Sequence, residues 1–274
     1  MLRRIKSNAG VTLLEVLIAA IIGMIATGAA VELYVHQHKN WMIQDGVSNL
    51  QQNGRAAVDE IASKVRMAGY GVMPGLEAII SRQASGTTDP DSITLVFLHE
   101  PMCTSTVADP MPQPSSELKV QGDISCFQDG QYCYIYDPFA DEGEFFVITH
   151  VQEAAFHLQH NIAPLSKCYP SGSQLYTYDV FRYFVDYSMD STHPLLMRQE
   201  YDNWPDIYAD DISDLQILYH MTDGTVLDTI TMARYVRQVD IEVVARTKDQ
   251  DLLLEDYRYD TLRTSVQVRN LAFQ

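Results

Sequence analysis

The sequence predicts an α+β protein in which one long N-terminal helix is followed by an antiparallel β-sheet domain. Two observations support this fold class. No proline occurs between Met1 and Met73, and apolar residues recur there at helical spacing. From about residue 92 onward, apolar residues instead alternate with polar ones, which is typical of strands that bury one face. The chain has 274 residues, 46% of them hydrophobic, and therefore enough material for a buried core.

A basic segment and a long apolar run open the chain. Residues 1–10 contain three basic side chains and no acidic one. Residues 11–35 are apolar apart from a few positions, and Glu15 and Glu32 are their charged members. At about 1.5 Å per residue, this run is long enough to span a bilayer, with its positive flank in the cytoplasm. A secretory signal peptide is the ordinary interpretation, but helix-like sequence follows the apolar core, so a plain signal anchor stays an open alternative.

Residues 36–70 are predicted to continue the helix as an amphipathic segment. Apolar and small residues recur there at spacings of three and four and form one face: Val47, Leu50, Gly54, Val58, Ile61, Val65 and Ala68. Gly69 and Gly71 then supply the conformations that end helices. We expect the first half of this helix to lie in a membrane and the second half to bury one stripe on a domain.

Residues 71–274 are predicted to form one β-rich extracytoplasmic domain, with its sheet packed on the amphipathic half of the helix. Eight stretches have strand patterns: DSITLVFL, YCYIYD, EFFVITHV, YTYDVFRYFVDY, PLLMRQEY, ISDLQILYHM, VRQVDIEVVAR and LRTSVQVRNL. Residues 99–131 are rich in Pro, Ser and Thr, and we expect a long loop without regular structure there.

The net charge of −17 bounds the function classes. Binding of nucleic acid through its phosphates requires clustered Lys and Arg, so an acidic body argues against it. Such a surface fits an extracytoplasmic protein or one that binds cations, and charge alone does not choose between them.

The four cysteines lie in the middle third of the chain and contain no CxxC pair, which makes a zinc ribbon a weak interpretation. An even count in an exported domain predicts two disulfides, with three connectivities open. We favour Cys103–Cys126 and Cys133–Cys168, because these pairs close local loops.

An acidic segment extends from Gln199 to Ala233, where eight carboxylates occur without any Lys or Arg. The stretch DNWPDIYADDISD offers oxygen ligands for calcium, but it lacks the EF-hand spacing. A solvated acidic surface is the favoured interpretation, and no metal or cofactor is predicted. The calcium alternative would use Asp202, Asp206, Asp210 and Asp211.

Two further pairs of residues have side chains that could bind a metal or act as a nucleophile. His157 and His160 have a spacing that suits a metal on a helix, but their neighbourhood has strand or loop character. Ser166 and Cys168 resemble a nucleophile pair without a convincingly placed acid and base. We assign no catalytic residue and expect a protein that is not an enzyme.

Residues 10–15, GVTLLE, resemble the processing signal of type IV prepilins: a basic leader that ends in glycine, followed by a threonine, hydrophobic residues and a glutamate. The resemblance implies that a prepilin peptidase cuts between Gly10 and Val11 and that the new amine of Val11 is N-methylated. Val11 stands where the family more often has Phe or Met. Glu15 then meets the N-terminus of a neighbouring subunit, whereas on charge alone it favours its own helix start.

Two glycines inside the apolar run, Gly23 and Gly28, allow local unwinding when the helix packs into a filament. Close helix–helix contact between small residues is the other interpretation, and the sequence does not decide between them.

The rest of the chain resembles the PilW group of minor pilins, which is related to the J-type minor pseudopilins of type II secretion. The resemblance rests on the order of several segments: RAAVDEIASKVRMAGYG, TDPDSITLVF, DPFADEGEFFVITHVQ, AFHLQHN, DVFRYFVDY, HPLLMRQ, VRQVDIEVVART and SVQVRN. It implies the type IV pilin fold and a minor pilin that takes part in pilus assembly, in initiation near the tip.

This resemblance also implies partners and a location. The expected partners are prepilin peptidase, other minor and major pilins, the inner-membrane assembly machinery and the lipid bilayer, and no nucleic acid. The chain would cross the bacterial inner membrane once and later reach the pilus at the cell surface. The alternatives are a J-type pseudopilin and a membrane-anchored adhesin or calcium-binding module.

Overall fold

The computed structural model describes residues 11–73, 76–82, 89–99, 102–201, 203–251 and 255–273. One long helix, α1, extends over Leu13–Met67 and comprises 55 residues. Thr12 is its N-cap, and Ala68 is its C-cap. Asn270 Nδ2 donates to the carbonyl oxygens of Arg66 and Met67, both at 3.2 Å, so the end of the chain satisfies acceptors that a helix terminus leaves open.

The two halves of α1 have different surroundings. The large apolar side chains before residue 36 are exposed, whereas Leu50, Ile61 and Val65 are buried. The predicted stripe is thus buried from Leu50 onward, and Val47 is half-buried. Tyr183 Oη donates a hydrogen bond to Glu60 Oε1 at 2.7 Å. This bond joins a polar residue of the helix to a strand of the domain.

The remainder of the described chain is mainly strand, with three short 3₁₀ turns at Glu153–Ala155, Ala233–Tyr235 and Asn270–Phe273. The strands are β1 Ile79–Arg82, β2 Ser92–Leu98, β3 Thr104–Val107, β4 Leu118–Gln121, β5 Tyr132–Asp137, β6 Glu142–Val147, β7 His150–Gln152, β8 His157–Gln159, β9 Gln174–Asp186, β10 Leu195–Glu200, β11 Asp206–Asp210, β12 Ile212–Met221, β13 Val226–Leu227, β14 Val236–Arg246 and β15 Tyr259–Gln267. The predicted α+β architecture is confirmed.

The helix packs on a four-stranded antiparallel sheet of order β13-β12-β14-β15. Contact is closest at Gly54, where an added Cβ would lie 2.5 Å from Leu262 Cδ1 and 3.3 Å from Ala245 Cβ. A side chain at Gly54 would therefore force Leu262 into another rotamer and crowd Ala245. The buried stripe and the inward faces of this sheet form the first hydrophobic core.

The second sheet is organised by the 13-residue strand β9. Residues 174–177 of β9 pair with β3 and β5, and residues 178–186 pair with β2 and β10. Strand β9 is therefore shared by two groups of strands that lie along its length. One group adjoins the helix, and the other builds a separate part of the domain.

That separate part contains a second hydrophobic core, and it corrects the prediction for residues 99–131. The segment contains β3 and β4 rather than a loop without regular structure. Its buried members of the second core are Cys103, Val107, Met111, Leu118, Val120, Ile124 and Phe127. These apolar residues are too sparse, and the strands too short, to produce an alternating pattern among the prolines. Residues 100–101 lie outside the described residues.

Of the two predicted disulfides, Cys103–Cys126 is confirmed and Cys133–Cys168 is not. Cys103 and Cys126 form a disulfide with an S–S distance of 2.02 Å. The predicted Cys133–Cys168 bridge is wrong, since both residues are free thiols. Strand pairing places Cys133 opposite Thr177 with its side chain in the second core, whereas Cys168 is exposed. Burial raises the pKa of the Cys133 thiol, which keeps it protonated and unreactive.

Removal of the Cys103–Cys126 disulfide is expected to destabilise the domain. A bridge that closes a loop with a sequence separation of 23 contributes about 3 kcal/mol in the chain-entropy model. We expect the C103S/C126S double variant to lose about this free energy of unfolding in urea, measured on the full chain in detergent. C168S is the matched control, because it removes an exposed thiol that makes no bridge. Equal stability of the double variant and C168S would contradict the prediction.

The buried carboxyl group of Asp91 is expected to make the free energy of unfolding depend on pH. Its side chain is buried beside β12, where Oδ2 accepts a hydrogen bond from the Ile217 amide at 2.9 Å. Burial raises the pKa of Asp91 above its ordinary value, and nearby Asp214 and Asp228 raise it further. The folded state therefore binds this proton more tightly than the unfolded state. Its contribution to stability is present at low pH and is lost as the pH rises through the raised pKa.

Asp91→Asn retains an acceptor for Ile217 and removes the buried charge. We expect the variant to gain stability relative to the parent at pH 7, and less at pH 4, in urea denaturation. Asp123→Asn is the control of opposite sign, since hydrogen bonds from Ser125 lower the pKa of the exposed Asp123 carboxyl. Its contribution is present above the ordinary pKa and lost as the pH falls through the lowered pKa, so D123N should lose stability at pH 7 and at pH 4 but not in strong acid. A D91N difference that is independent of pH would refute the assignment.

Candidate functional site

The helix start positions Thr12 and Glu15 as a reciprocal pair. The Glu15 amide donates to Thr12 Oγ1 at 3.3 Å. The Thr12 amide and hydroxyl in turn donate to Glu15 Oε2 at 2.9 and 3.0 Å. This is a capping box, which satisfies two amides that the first turn leaves open. Residues T-x-x-E thus encode the local structure directly.

The capping box holds one carboxylate at the positive end of the helix dipole, where negative charge is favoured. The two oxygens of the Glu15 carboxylate differ in the hydrogen bonds that they accept. Oε2 accepts both bonds from Thr12, whereas none of the described residues donates to Oε1. Oε1 of Glu15 therefore stays open to a hydrogen-bond donor from solvent or from another molecule. The predicted cleavage residue Gly10 lies outside the described residues, and Val11 is exposed next to the cap.

The apolar half of α1 is uncovered in the single chain. It is long and apolar enough to cross a membrane, and none of the residues in its apolar stretch is buried by the rest of the chain. Gly23 and Gly28 lie inside regular helix, where an added Cβ would meet nothing within 4 Å. Thr27 Oγ1 donates to the Gly23 carbonyl at 2.8 Å, which satisfies a hydroxyl that would otherwise face lipid. Local unwinding and close helix–helix contact at these two glycines both stay predictions.

The acidic segment does not form a calcium site among the described residues. Asp206 lies 4.0 Å from Arg198 Nη2, and Asp211 Oδ1 contacts His193 Nδ1 at 2.9 Å. Asp202 lies outside the described residues. In the part of the chain that the structure describes, no three His, Cys, Asp or Glu side chains converge on a metal position. Of the four calcium candidates, Asp206 and Asp210 thus lie on β11, and Asp211 is paired with His193.

The remaining candidates are also separated. His157 Nδ1 contacts Glu117 at 3.0 Å, while His160 is buried with its ring nitrogens beside the carbonyl oxygens of Ser116 and Ala163. Because His157 begins β8 and His160 directly follows it, a spacing of three sends the side chains to different sides. Ser166 is bonded to Glu144, with Oγ donating at 2.7 Å. These contacts stabilise loops of the second part of the domain.

Sequence reasoning missed a groove between α1 and the end of β14. Helix residues from Lys39 to Asn53 form one wall, and Arg246 lies in the other. Arg246 is 7% exposed and its guanidinium lies 4.1 Å from the ring centre of Tyr257. Its Nε and Nη2 atoms find no hydrogen-bond acceptor among the described residues, and the Asp211 carboxylate is 3.8 Å from Nη2. No pattern in the sequence indicates this arrangement.

Comparison with known families agrees with the N-terminal geometry. The prokaryotic N-terminal methylation motif matches residues 5–31, which include the capping box and most of the exposed apolar helix. No curated protein and no solved structure matches the chain. The motif on this α+β fold indicates a protein of the type IV pilin or pseudopilin class, which prepilin peptidase processes. The long apolar helix is consistent with anchoring of such a protein in the inner membrane.

Proposed function

We propose that this chain is a minor pilin of the PilW group that takes part in type IV pilus assembly, in initiation near the pilus tip. One observation carries the proposal: the methylation motif coincides with an exposed, apolar and proline-free helix that ends in a folded domain. Such a helix has no partner within its own chain. It therefore requires lipid before assembly and other subunits after it.

The residues of the motif have separate roles in this proposal. Gly10 and Val11 are substrate positions for prepilin peptidase, and Val11 carries the methylated amine. Glu15 supplies the acceptor oxygen Oε1 to the N-terminal ammonium of a neighbouring subunit. In a low-dielectric helix bundle this attraction is much stronger than in water, although desolvation of both charges offsets part of the gain. The proposal assigns no catalytic residue to the chain.

The order of the body segments supports the minor pilin assignment. The segments that resemble the PilW group fall on the end of α1 and on strands β2, β6, β7, β8, β9, β10, β14 and β15. A J-type pseudopilin would share the same motif and serve a type II secretion system. The two functions differ in the filament that receives the chain.

Mass spectrometry of sheared surface pili tests the proposal. We expect a chain that begins at N-methylated Val11, present in few copies relative to the major pilin. Deletion of the gene should reduce piliation, while secretion of folded exoproteins continues. A chain that retains residues 1–10 and stays in the inner membrane would contradict the proposal. Loss of secretion with normal piliation would support the pseudopilin instead.

A further inference from the structure

Three aromatic side chains form a stripe on α1 immediately after its apolar run. The ring centres of Tyr34 and His38 are 6.0 Å apart and nearly parallel, with an interplanar angle of 2°. His38 and Trp41 follow at 6.1 Å and 13°. Positions i, i+4 and i+7 share one face of a helix, so the three rings stack along its axis. We call Tyr34, His38 and Trp41 the aromatic stripe.

Most of the surface of Tyr34 and Trp41 is exposed, and Trp41 also lies at the edge of the groove between α1 and β14. Tyr34 is 66% exposed and Trp41 is 61% exposed. Among the described residues, none accepts a hydrogen bond from Tyr34 Oη or Trp41 Nε1, and none forms a salt bridge with Lys39. Each ring thus presents an apolar body and an unused polar edge. This combination suits a boundary between hydrocarbon and water.

The position of the stripe along α1 matches such a boundary. Residues 16–31 carry no charged side chain and are bounded by Glu15 and Glu32. A hydrocarbon layer of about 30 Å requires about 20 helical residues, so a span that starts beside Glu15 ends near Tyr34. From Tyr34 to Trp41 the helix rises about 10 Å, which covers the headgroup layer of about 5–7 Å.

We propose that the aromatic stripe is an interfacial anchor that binds the headgroup layer of the outer leaflet of a phospholipid bilayer. Tyr and Trp favour this layer because their rings enter the acyl boundary while Oη and Nε1 donate to phosphate and ester oxygens. Lys39, on the other side of the helix at the same depth, adds attraction to lipid phosphate. The anchor sets the height of the domain above the membrane. The inference rests on the proposed function only in taking residues 11–35 as the membrane span.

Tryptophan fluorescence tests the anchor, because the chain contains only two tryptophans. The full chain is reconstituted in phosphatidylcholine–phosphatidylglycerol vesicles that carry a spin label either at headgroup depth or near the acyl-chain end. Trp204→Phe leaves Trp41 as the sole emitter. Trp41→Phe leaves Trp204, which is 93% exposed in the domain and serves as the matched control.

We expect Trp41 emission to shift to the blue on reconstitution and to be quenched several-fold more by the headgroup-depth label than by the deep label. Trp204 should show neither effect. Stronger quenching of Trp41 by the deep label, or iodide access equal to that of Trp204, would overturn the anchor. Quenching that falls as the protein-to-lipid ratio rises would also overturn it, since the stripe would then face a second copy.

A flotation assay separates the anchor from the proposed function. Chains that fail to float with the vesicles lack the membrane span, which contradicts both proposals. Chains that float but hold Trp41 in water contradict the anchor alone. Tyr34→Ala adds a check on the stripe itself: it should move Trp41 outward and raise its iodide access, whereas Tyr70→Ala, in the exposed turn after the helix, should not.

Discussion

Replacement of Gly10 by a bulky residue is expected to leave the whole cellular pool of the chain uncleaved, as a protein ten residues longer that stays in the inner membrane. The prepilin resemblance places Gly10 at the scissile bond, inside the residues that the methylation motif matches, and a bulky side chain there should block the peptidase. Immunoblots of membrane and sheared-pilus fractions measure the outcome. Gly28→Ala is the control, because it changes a glycine of the same helix where an added Cβ meets nothing.

Glu15→Gln separates processing from assembly. Glutamine keeps an amide oxygen for the Thr12 donors, so the capping box and the helix start are retained. The variant loses only the charge that would meet a neighbouring ammonium. We expect normal cleavage and a fall of about tenfold in pilus incorporation, which corresponds to about 1.4 kcal/mol. Glu32→Gln removes the other charge of the apolar run and should have a smaller effect. Normal incorporation of E15Q together with normal processing of the Gly10 variant would refute the proposed function.

Ile61→Ala is expected to give the largest loss of stability of any single core change on the helix. Ile61 is fully buried in the centre of the stripe that packs on the four-stranded sheet. Large-to-small changes of this kind cost about 2–5 kcal/mol, because the cavity adds to the lost burial. Urea denaturation of the full chain in detergent, followed by circular dichroism, measures the change as a shift of midpoint at constant slope.

Two variants bracket the Ile61 prediction. Ser63→Ala lies two residues away on the exposed face and should leave the midpoint unchanged. Ile61→Val removes one methylene and should cost about 0.5–1.5 kcal/mol. If I61A and S63A unfold at the same urea concentration, the amphipathic half of α1 does not contribute to the core in the way that the structure shows.

The helix and its buried stripe were predictable because local rules act without competition there. The absence of proline, the spacing of Leu50, Val58, Ile61 and Val65, and the closing glycines all indicate one helix. Several long strands, such as β9 and β14, were predictable from alternation for the same reason. The capping box of Thr12 and Glu15 was not predicted, although T-x-x-E is its known pattern, because both residues were interpreted as parts of the processing signal.

The second core was not predictable, because it depends on contacts between short segments far apart in the chain. Strands β3 and β4 have four residues each, too few for a period of two to be recognised. The pairing of Cys133 was missed because a strand partner, not loop length, decides which way its side chain points. The helical spacing of the aromatic stripe is visible in the sequence. Its exposure is not, because that depends on where along the helix the domain packs.

Strand β9 has a mechanical consequence for a protein that would sit at the end of a filament. Its residues 174–177 pair with β3 and β5, and Leu175 lies in the second core, whereas residues 178–186 pair with β2 and β10. A displacement of the group around β3 and β5 is therefore transmitted through the backbone of β9 to β2 and β10. The two cores should yield in a single step under tension, like one body rather than two joined by a hinge.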